Sequence, residues 1–139
     1  MILLDTSILS LAFRHRARGP EPAPVAQLRR MIGDDLPLAL PAIVFQELLS
    51  GVRTTEQFDA LEESLAGFPL VLATREHHRM AAKVFNDCRR QGITVGAIDA
   101  LIAAQAIALA SRLFTLDEDF SRIASACDLT IVGLERDNE

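Results

Sequence analysis

A short apolar strand passes directly into a helical pattern in the segment Ile2-Leu3-Leu4-Asp5-Thr6-Ser7-Ile8-Leu9. The same unit recurs along the chain. It predicts further strands at 36–40, 70–72, 113–116 and 129–132, and helices at 6–13, 25–32, 41–50, 54–67, 75–91, 97–110 and 117–127. Strands separated by helices pair in parallel through right-handed crossovers, and continuous apolar runs indicate strands covered on both faces. The sequence therefore predicts an α/β fold, a three-layer α/β/α sandwich with a mostly parallel central sheet.

Length and composition fit one globular unit, and we expect residues 1–139 to form a single domain. Half of the residues are apolar and 24% are charged, which excludes a disordered chain and a disulfide-framed miniprotein. The two cysteines, Cys88 and Cys127, match no metal-binding spacing and are expected to be reduced thiols. With no basic leader and no apolar run long enough for a bilayer, we expect a soluble, cytoplasmic protein that does not contact a membrane.

The net charge is −5, which disfavours nonspecific binding to a polyphosphate. A nucleic-acid partner would need a local positive patch. The loop that begins at residue 14 provides Arg14, Arg16 and Arg18, which could contact a phosphate backbone. A solvated run of charges is the alternative interpretation of this loop.

Carboxylates follow two of the predicted strands directly. Asp5 comes after the first strand, Asp117 after the strand at 113–116, and Asp119 lies two residues further on. Parallel α/β sheets bind ligands outside the carboxyl ends of their strands, so these positions are candidates for a site. Taken singly, each aspartate could instead be the N-cap of the helix that follows it.

Two further acids lie in apolar helical patterns. Glu47 is in the middle of the predicted helix at 41–50, and Asp99 is in the first turn of the helix at 97–110. Neither has a Lys or Arg within one helical turn. Burial of an unpaired carboxylate costs several kcal/mol, and the helix N-terminus relieves only about 0.3–1 kcal/mol at Asp99. These acids therefore favour a functional interpretation over a structural one.

Together, the carboxylates would repel one another around one sheet edge unless a divalent cation lay between them. Oxygen ligands without His or Cys indicate Mg²⁺, with Mn²⁺ as its substitute, rather than Zn²⁺. Such an ion can activate a water and neutralise the charge of a phosphodiester. The pattern thus favours metal-dependent phosphodiester hydrolysis.

Four acidic motifs carry a resemblance to a known family. In chain order they are Asp5-Thr6-Ser7-Ile8-Leu9, Phe45-Gln46-Glu47-Leu48-Leu49, Ala97-Ile98-Asp99-Ala100-Leu101 and Thr115-Leu116-Asp117-Glu118-Asp119-Phe120. In this order and at these spacings, over nearly the whole chain, they resemble PIN-domain ribonucleases. The resemblance is strongest to the VapC toxins of type II toxin–antitoxin systems.

The resemblance implies a Mg²⁺-dependent endoribonuclease that acts on RNA and is inhibited by a cognate antitoxin. It also implies a homodimer, and with the antitoxin a heterotetramer or a larger assembly. Asp5, Glu47, Asp99 and Asp117 match the family's acidic quartet, and Asp119 matches a further acid. We expect Asp5, Asp99, Asp117 and Asp119 to bind the metal, with Asp117 closer to it than Asp119.

Hydroxyl groups lie beside these acids. Thr6, Ser7 and Thr115 could orient carboxylates or contact phosphate, and helix capping is the alternative role. The apolar faces of the segments 41–51 and 54–67 suggest walls for an antitoxin-binding groove. His15, His77 and His78 fall in no acidic motif and are expected at the surface.

Three other classes of protein compete with the nuclease hypothesis. A phosphatase or receiver domain would need a second Asp two residues after Asp5 or a Lys at a later strand end, and the sequence has neither; its one lysine, Lys83, lies in a predicted helix. A nucleotide-binding module would need a glycine-rich phosphate loop, which is also missing. A non-catalytic PIN-like interaction domain would be indicated by loss of a quartet acid, and all four are present.

Overall fold

The structure is a computed structural model that describes residues 1–14 and 19–135. The strands are β1 (Ile2–Leu4), β2 (Leu38–Pro41), β3 (Leu70–Val71) and β4 (Arg112–Phe114). The helices are α1 (Thr6–Arg14), α2 (Ala23–Gly33), α3 (Ala42–Leu49), α4 (Thr55–Leu65), α5 (Arg75–Arg90), α6 (Ala97–Ala108) and α7 (Asp119–Ala126). Within these described residues, no helix is both long and apolar enough to cross a bilayer.

The four strands form one parallel sheet in the order β3-β2-β1-β4. Ile2 of β1 is in register with Leu38 of β2 on one side and with Arg112 of β4 on the other. The predicted parallel α/β fold is therefore confirmed. The strands are covered on both faces, as their continuous apolar runs indicate: Leu3, Leu4 and Leu40 are fully buried.

Right-handed crossovers place the helices in two layers. The chain moves from β1 to β2 to β3 in one direction, so α1 to α4 lie over one face of the sheet; it then returns past β2 and β1 to β4, which puts α5 and α6 over the other face. The packing agrees, because α1 contacts α2 and α3, whereas α5 contacts α6 and α7. The result is the predicted α/β/α arrangement.

The predicted last strand at 129–132 forms only one bridge, Leu113 to Ile131. Two backbone hydrogen bonds of 2.9 Å attach the segment to Leu113, from the Leu113 N–H and from the Val132 N–H. Beyond them the backbone pairs with α2 instead: the buried Gln27 side chain donates to the Gly133 carbonyl (2.8 Å) and accepts from the Glu135 N–H (2.9 Å). These bonds draw the segment away from β4 after a single bridge.

Several predicted boundaries move by one to three residues. Pro41 belongs to β2, where it pairs with Val71, so the helix predicted at 41–50 begins at residue 42. Helix α6 ends at Ala108 rather than at Ala110, because Ala110 adopts a left-handed conformation with φ 49°. Thr54 is the N-cap of α4, since its hydroxyl accepts the Gln57 N–H at 3.1 Å.

One histidine prediction is wrong. His77 is buried rather than at the surface, because its Nδ1 accepts the Thr74 N–H (3.1 Å) while the Thr74 hydroxyl accepts the His77 N–H (3.2 Å). The imidazole thus takes the part that Glu or Gln usually plays in a capping box at the start of α5. His78 is exposed as predicted, and His15 lies outside the described residues.

Candidate metal centre

The sheet has its topological switch point between β1 and β4. The chain leaves β1 toward β2, whereas it leaves β4 toward the bridging segment at Ile131 on the other side. Ligands of open α/β sheets bind in the crevice that such a reversal creates at the carboxyl ends of the strands. Asp5 follows β1 directly, and residues 115–119 follow β4, so the strand order brings two of the predicted acidic motifs to this crevice.

Asp5 is buried, with 5% of its surface exposed, and two hydroxyls hold it. The hydroxyls of Thr115 and Ser7 both donate to Asp5 Oδ2, at 2.7 and 2.8 Å. Backbone groups complete the link, because the Asp5 N–H donates to the Phe114 carbonyl at 3.0 Å and the Ser7 hydroxyl accepts the Leu116 N–H at 2.9 Å. Ser7 and Thr115 therefore tie the end of β1 to the end of β4.

Glu47 approaches the same region from α3. The Thr6 hydroxyl donates to Glu47 Oε1 at 3.2 Å, which joins the helix after β1 to the helix after β2. Thr6 is the residue next to Asp5, so this bond places Glu47 beside the motif that follows β1. The Thr6 and Ser7 hydroxyls therefore each donate to a carboxylate of the predicted site.

Asp99, Asp117 and Asp119 form the most compact part of the site. Each contributes one carboxylate oxygen to a group in which all oxygens lie within 4.8 Å of one another. The turn after β4 sets two of them, since Asp117 Oδ1 accepts the Asp119 N–H at 2.9 Å and the Thr115 hydroxyl accepts the Asp117 N–H at 3.0 Å. Asp99 comes from the first turn of α6. Three oxygens at these separations can share one divalent cation.

The electrostatics of Asp99 link it to the other four acids of the site. Asp99 is half-buried, and burial is the largest of the causes that raise its pKa from the ordinary 3.8 to about 6. The remaining causes are the negative charges of four carboxylates, which in decreasing order of effect are Asp117, Asp5, Asp119 and Glu47. The structure thus brings together every acid that the sequence predicted for the site.

Hydrogen bonds engage one oxygen of four of the five carboxylates. The donors are hydroxyls at Asp5 and Glu47, a backbone N–H at Asp117, and the Arg122 guanidinium at Asp119. Among residues 1–14 and 19–135, no protein group donates to the second oxygen of these four carboxylates, and none donates to either oxygen of Asp99. Fixing one oxygen and leaving the other free is how outer partners orient metal ligands. The all-oxygen donor set fits Mg²⁺ or Mn²⁺.

Sequence reasoning missed Arg122, which pairs with Asp119 in the first turn of α7. The spacing of three residues between an acid and a base on one helix was the available signal.

The sequence also predicted nucleic-acid contacts from three arginines. Arg14 is exposed at the end of α1, where its Nε donates to the Ser10 carbonyl, while Arg16 and Arg18 lie outside the described residues.

Comparison with known proteins identifies the family. The family model for the PIN domain matches residues 2–126, so the chain belongs to the PIN-domain family. PIN domains are generally nucleases and typically bind a divalent metal. The predicted family is confirmed, and the receiver or phosphatase alternative is not supported. A comparison with curated proteins finds no match.

Solved structures similar to this chain include proteins of toxin–antitoxin systems. One is VapBC-1 from nontypeable Haemophilus influenzae, with a TM-score of 0.76 and 26% identity over 95% of this chain and 97% of that one. Another is VapBC2 from Rickettsia felis bound to a DNA fragment from their promoter, with a TM-score of 0.78 and 22% identity over 97% and 100%. FitAcB from Neisseria gonorrhoeae gives 0.75 and 24% over 96% and 97%. The two structures under 25% identical show the shared fold, and the one at 26% identity supports the predicted VapC-type PIN toxin.

Proposed function

We propose that this protein is a Mg²⁺-dependent endoribonuclease toxin that a cognate antitoxin neutralises. The observation that supports it best is the convergence of Asp5, Glu47, Asp99, Asp117 and Asp119 at the switch point of the sheet, four of them with one oxygen fixed by a protein donor. A non-catalytic PIN-like domain has no need to keep five mutually repelling carboxylates together.

In this proposal Asp5, Asp99, Asp117 and Asp119 hold Mg²⁺, and Mn²⁺ can replace it. When bound, the ion supplies charge neutralisation of the phosphodiester and acidification of a water. Glu47 is held at Oε1 by Thr6, so its other oxygen, Oε2, is available to orient the attacking water and accept its proton. Ser7 and Thr115 hold Asp5 through Oδ2 and leave Oδ1 for the ion.

Cleavage of a total RNA pool tests the catalytic proposal. We expect cleavage with Mg²⁺, none with EDTA, and a loss of at least about 100-fold in Asp99→Asn and Glu47→Gln. Glu62→Gln, an exposed acid on α4, is the matched control and should cleave at the wild-type rate. Wild-type cleavage in EDTA, or by Asp99→Asn, contradicts the proposal, and equal cleavage of a DNA pool would reduce it to a nuclease without preference for RNA.

We propose that the antitoxin docks in a groove of about 440 Å³ between α1 and α4. Phe13, Leu48, Val52 and Leu61 give it an apolar lining, in agreement with the walls predicted at 41–51 and 54–67. Helix α4 adds four acidic residues and no basic ones, which favours a partner segment that is both apolar and basic. Arg14 also lines this groove, so it is as well placed for the antitoxin as for RNA.

Co-purification tests this interface. A small protein encoded beside the gene should copurify with the wild-type chain and suppress its growth inhibition. Ala60→Trp fills the groove and should weaken the complex, whereas Ala66→Trp, at the exposed C-cap of α4 outside the lining, should not. Equal loss of the complex in both variants would argue against this groove.

We propose further that the protein is a homodimer, and with the antitoxin a heterotetramer or larger. Exposed apolar side chains support this: Phe85 and Ile98 border an opening of about 330 Å³ between α5 and α6. Light scattering of Ile98→Asp should give a monomer while Glu62→Gln remains dimeric. A wild-type chain that is monomeric at about 100 μM would contradict the proposal.

A further inference from the structure

Asp119 is shared between two kinds of cation. Its Oδ1 is paired with the Arg122 guanidinium, one turn further along α7. The same carboxylate belongs to the group of three whose oxygens lie within 4.8 Å of one another, with Asp99 and Asp117. A divalent ion bound by this group would therefore meet a ligand that already carries a positive partner.

The other oxygen-fixing donors of the site are uncharged. Ser7, Thr6 and Thr115 donate through hydroxyls, and Asp117 accepts from a backbone N–H. These groups orient a carboxylate without changing the net charge around the ion. Arg122 is different, because it adds a full positive charge beside the position that the divalent ion would occupy.

Two opposite effects of Arg122 on metal binding have to be compared. It could help by holding Asp119 in place, but both side chains of the pair are more than half exposed, at 60% and 52%, and ordering by such surface pairs is weak. It also repels the ion. By Coulomb's law in water, a unit charge roughly 6–12 Å from a divalent ion lowers the affinity for that ion by roughly tenfold to threefold. Repulsion therefore outweighs ordering.

We propose that Arg122 competes with the divalent ion for Asp119 and so sets the metal affinity of the cluster below the value that its carboxylates alone would give. Arg122 is then a positioning residue that acts through Asp119. The proposal rests on the metal site of the proposed function, and it does not depend on whether the substrate is RNA.

The chain contains a close control for this pair. Arg79 and Glu76 form an ion pair with the same three-residue spacing in the first turn of α5, with similar exposure of 57% and 59%. Glu76 does not belong to the group of carboxylates described above. Loss of Arg79 therefore reproduces the loss of a surface ion pair without touching the metal centre.

The experiment is a Mn²⁺ titration of the metal-free full chain, with free Mn²⁺ measured by electron paramagnetic resonance. We expect Arg122→Gln to bind Mn²⁺ about threefold to tenfold more tightly than wild type, Arg122→Lys to stay within about twofold of it, and Arg79→Gln to leave the affinity unchanged. In an Asp119→Asn background, Arg122→Gln should change the affinity by less than about twofold, because no carboxylate at position 119 then holds the guanidinium beside the ion.

Equal or weaker Mn²⁺ binding by Arg122→Gln overturns the proposal, and so does an equal gain in Arg79→Gln, which would show a general effect of net charge. These results leave the proposed nuclease intact, because wild type would still bind the ion. Absence of Mn²⁺ binding in every variant would overturn both the competition and the metal site. Thermal unfolding in EDTA checks that Arg122→Gln and Arg79→Gln are folded equally well.

Discussion

Replacement of Asp99 by Asn removes one negative charge from the acidic cluster and keeps the shape of the side chain. Among the described residues Asp99 has no hydrogen-bond donor, so the amide breaks no bond that the carboxylate makes. Without metal, the wild-type protein has to keep a half-buried charge next to four other carboxylates. We therefore expect the variant to be more stable than the wild type in EDTA.

The raised pKa of Asp99 gives the size and the pH range of this effect. An increase from 3.8 in the unfolded chain to about 6 in the folded one corresponds to at most about 3 kcal/mol. Because half of the group is open to solvent, which screens its neighbours, we expect about 1–1.5 kcal/mol. The folded state binds the proton more tightly, so the charge destabilises it above pH 6, and this cost disappears as the pH falls from 6 to below 4.

Thermal unfolding with EDTA measures the prediction. At pH 7.5 Asp99→Asn should unfold about 3–5 °C above wild type, and at pH 4.0 roughly a third of that gain should remain. Asp59→Asn, an exposed acid on α4, should show neither effect. With 10 mM Mg²⁺, on the order of 100 times a typical weak dissociation constant, the wild type should unfold at a higher temperature than Asp99→Asn. The reason is that the variant has lost a metal ligand.

Two outcomes would refute the reasoning about Asp99. A variant less stable than wild type in EDTA would mean that the carboxylate makes a favourable interaction in the folded state. A gain of equal size at pH 4.0 and pH 7.5 would mean that the effect comes from packing rather than from charge. Either result would separate Asp99 from the electrostatic cluster.

Three further predictions concern single residues. Ser7→Ala should lower the free energy of unfolding in urea by about 1–2 kcal/mol, because it strips two hydrogen bonds from the junction of β1 and β4, while Ser64→Ala on the exposed face of α4 should change it by under about 0.5 kcal/mol. Burial, and after it the neighbouring Cys88, raises the pKa of the Cys127 thiol from 9.0 to about 11. Iodoacetamide at pH 8 should therefore label Cys127 about 100 times more slowly in the folded protein than in urea. Equal labelling rates would contradict this prediction. Ala110→Gly should stabilise the protein by about 0.5–1 kcal/mol, since glycine adopts the left-handed conformation without strain, and Ala108→Gly inside α6 should destabilise it by a similar amount.

The predictable part of the fold and site is the part that local sequence determines. Three apolar residues before Asp5 predict a strand that ends at a carboxylate, and the acid in the apolar first turn of α6 predicts a charge that needs a partner. Both inferences rely on residues within one helical turn or one strand of each other. Glu47 in α3 was found by the same argument.

Contacts between distant segments could not be predicted in this way. The hydrogen bond between Thr115 and Asp5 joins residues 110 positions apart, and it exists because β4 inserts next to β1. Hydrophobic periodicity says which face of an element is buried but not which strand becomes its neighbour. His77 shows the same limit on a smaller scale, because a histidine that caps a helix has no signature that separates it from an exposed one.

The strand order also explains how the acids are assembled. Asp5 lies at the end of a buried central strand, and the hydroxyls that hold it come from the segments that must meet when β1 and β4 pair. Burial of the apolar sheet therefore brings the carboxylates together and supplies their donors in the same event. Among the described residues, Asp99 of α6 is the acid of this site without a donor, and the charges of the other four acids raise its pKa. This residue should gain most from a bound cation, and its substitution should separate the stability of the fold from the function of the site most clearly.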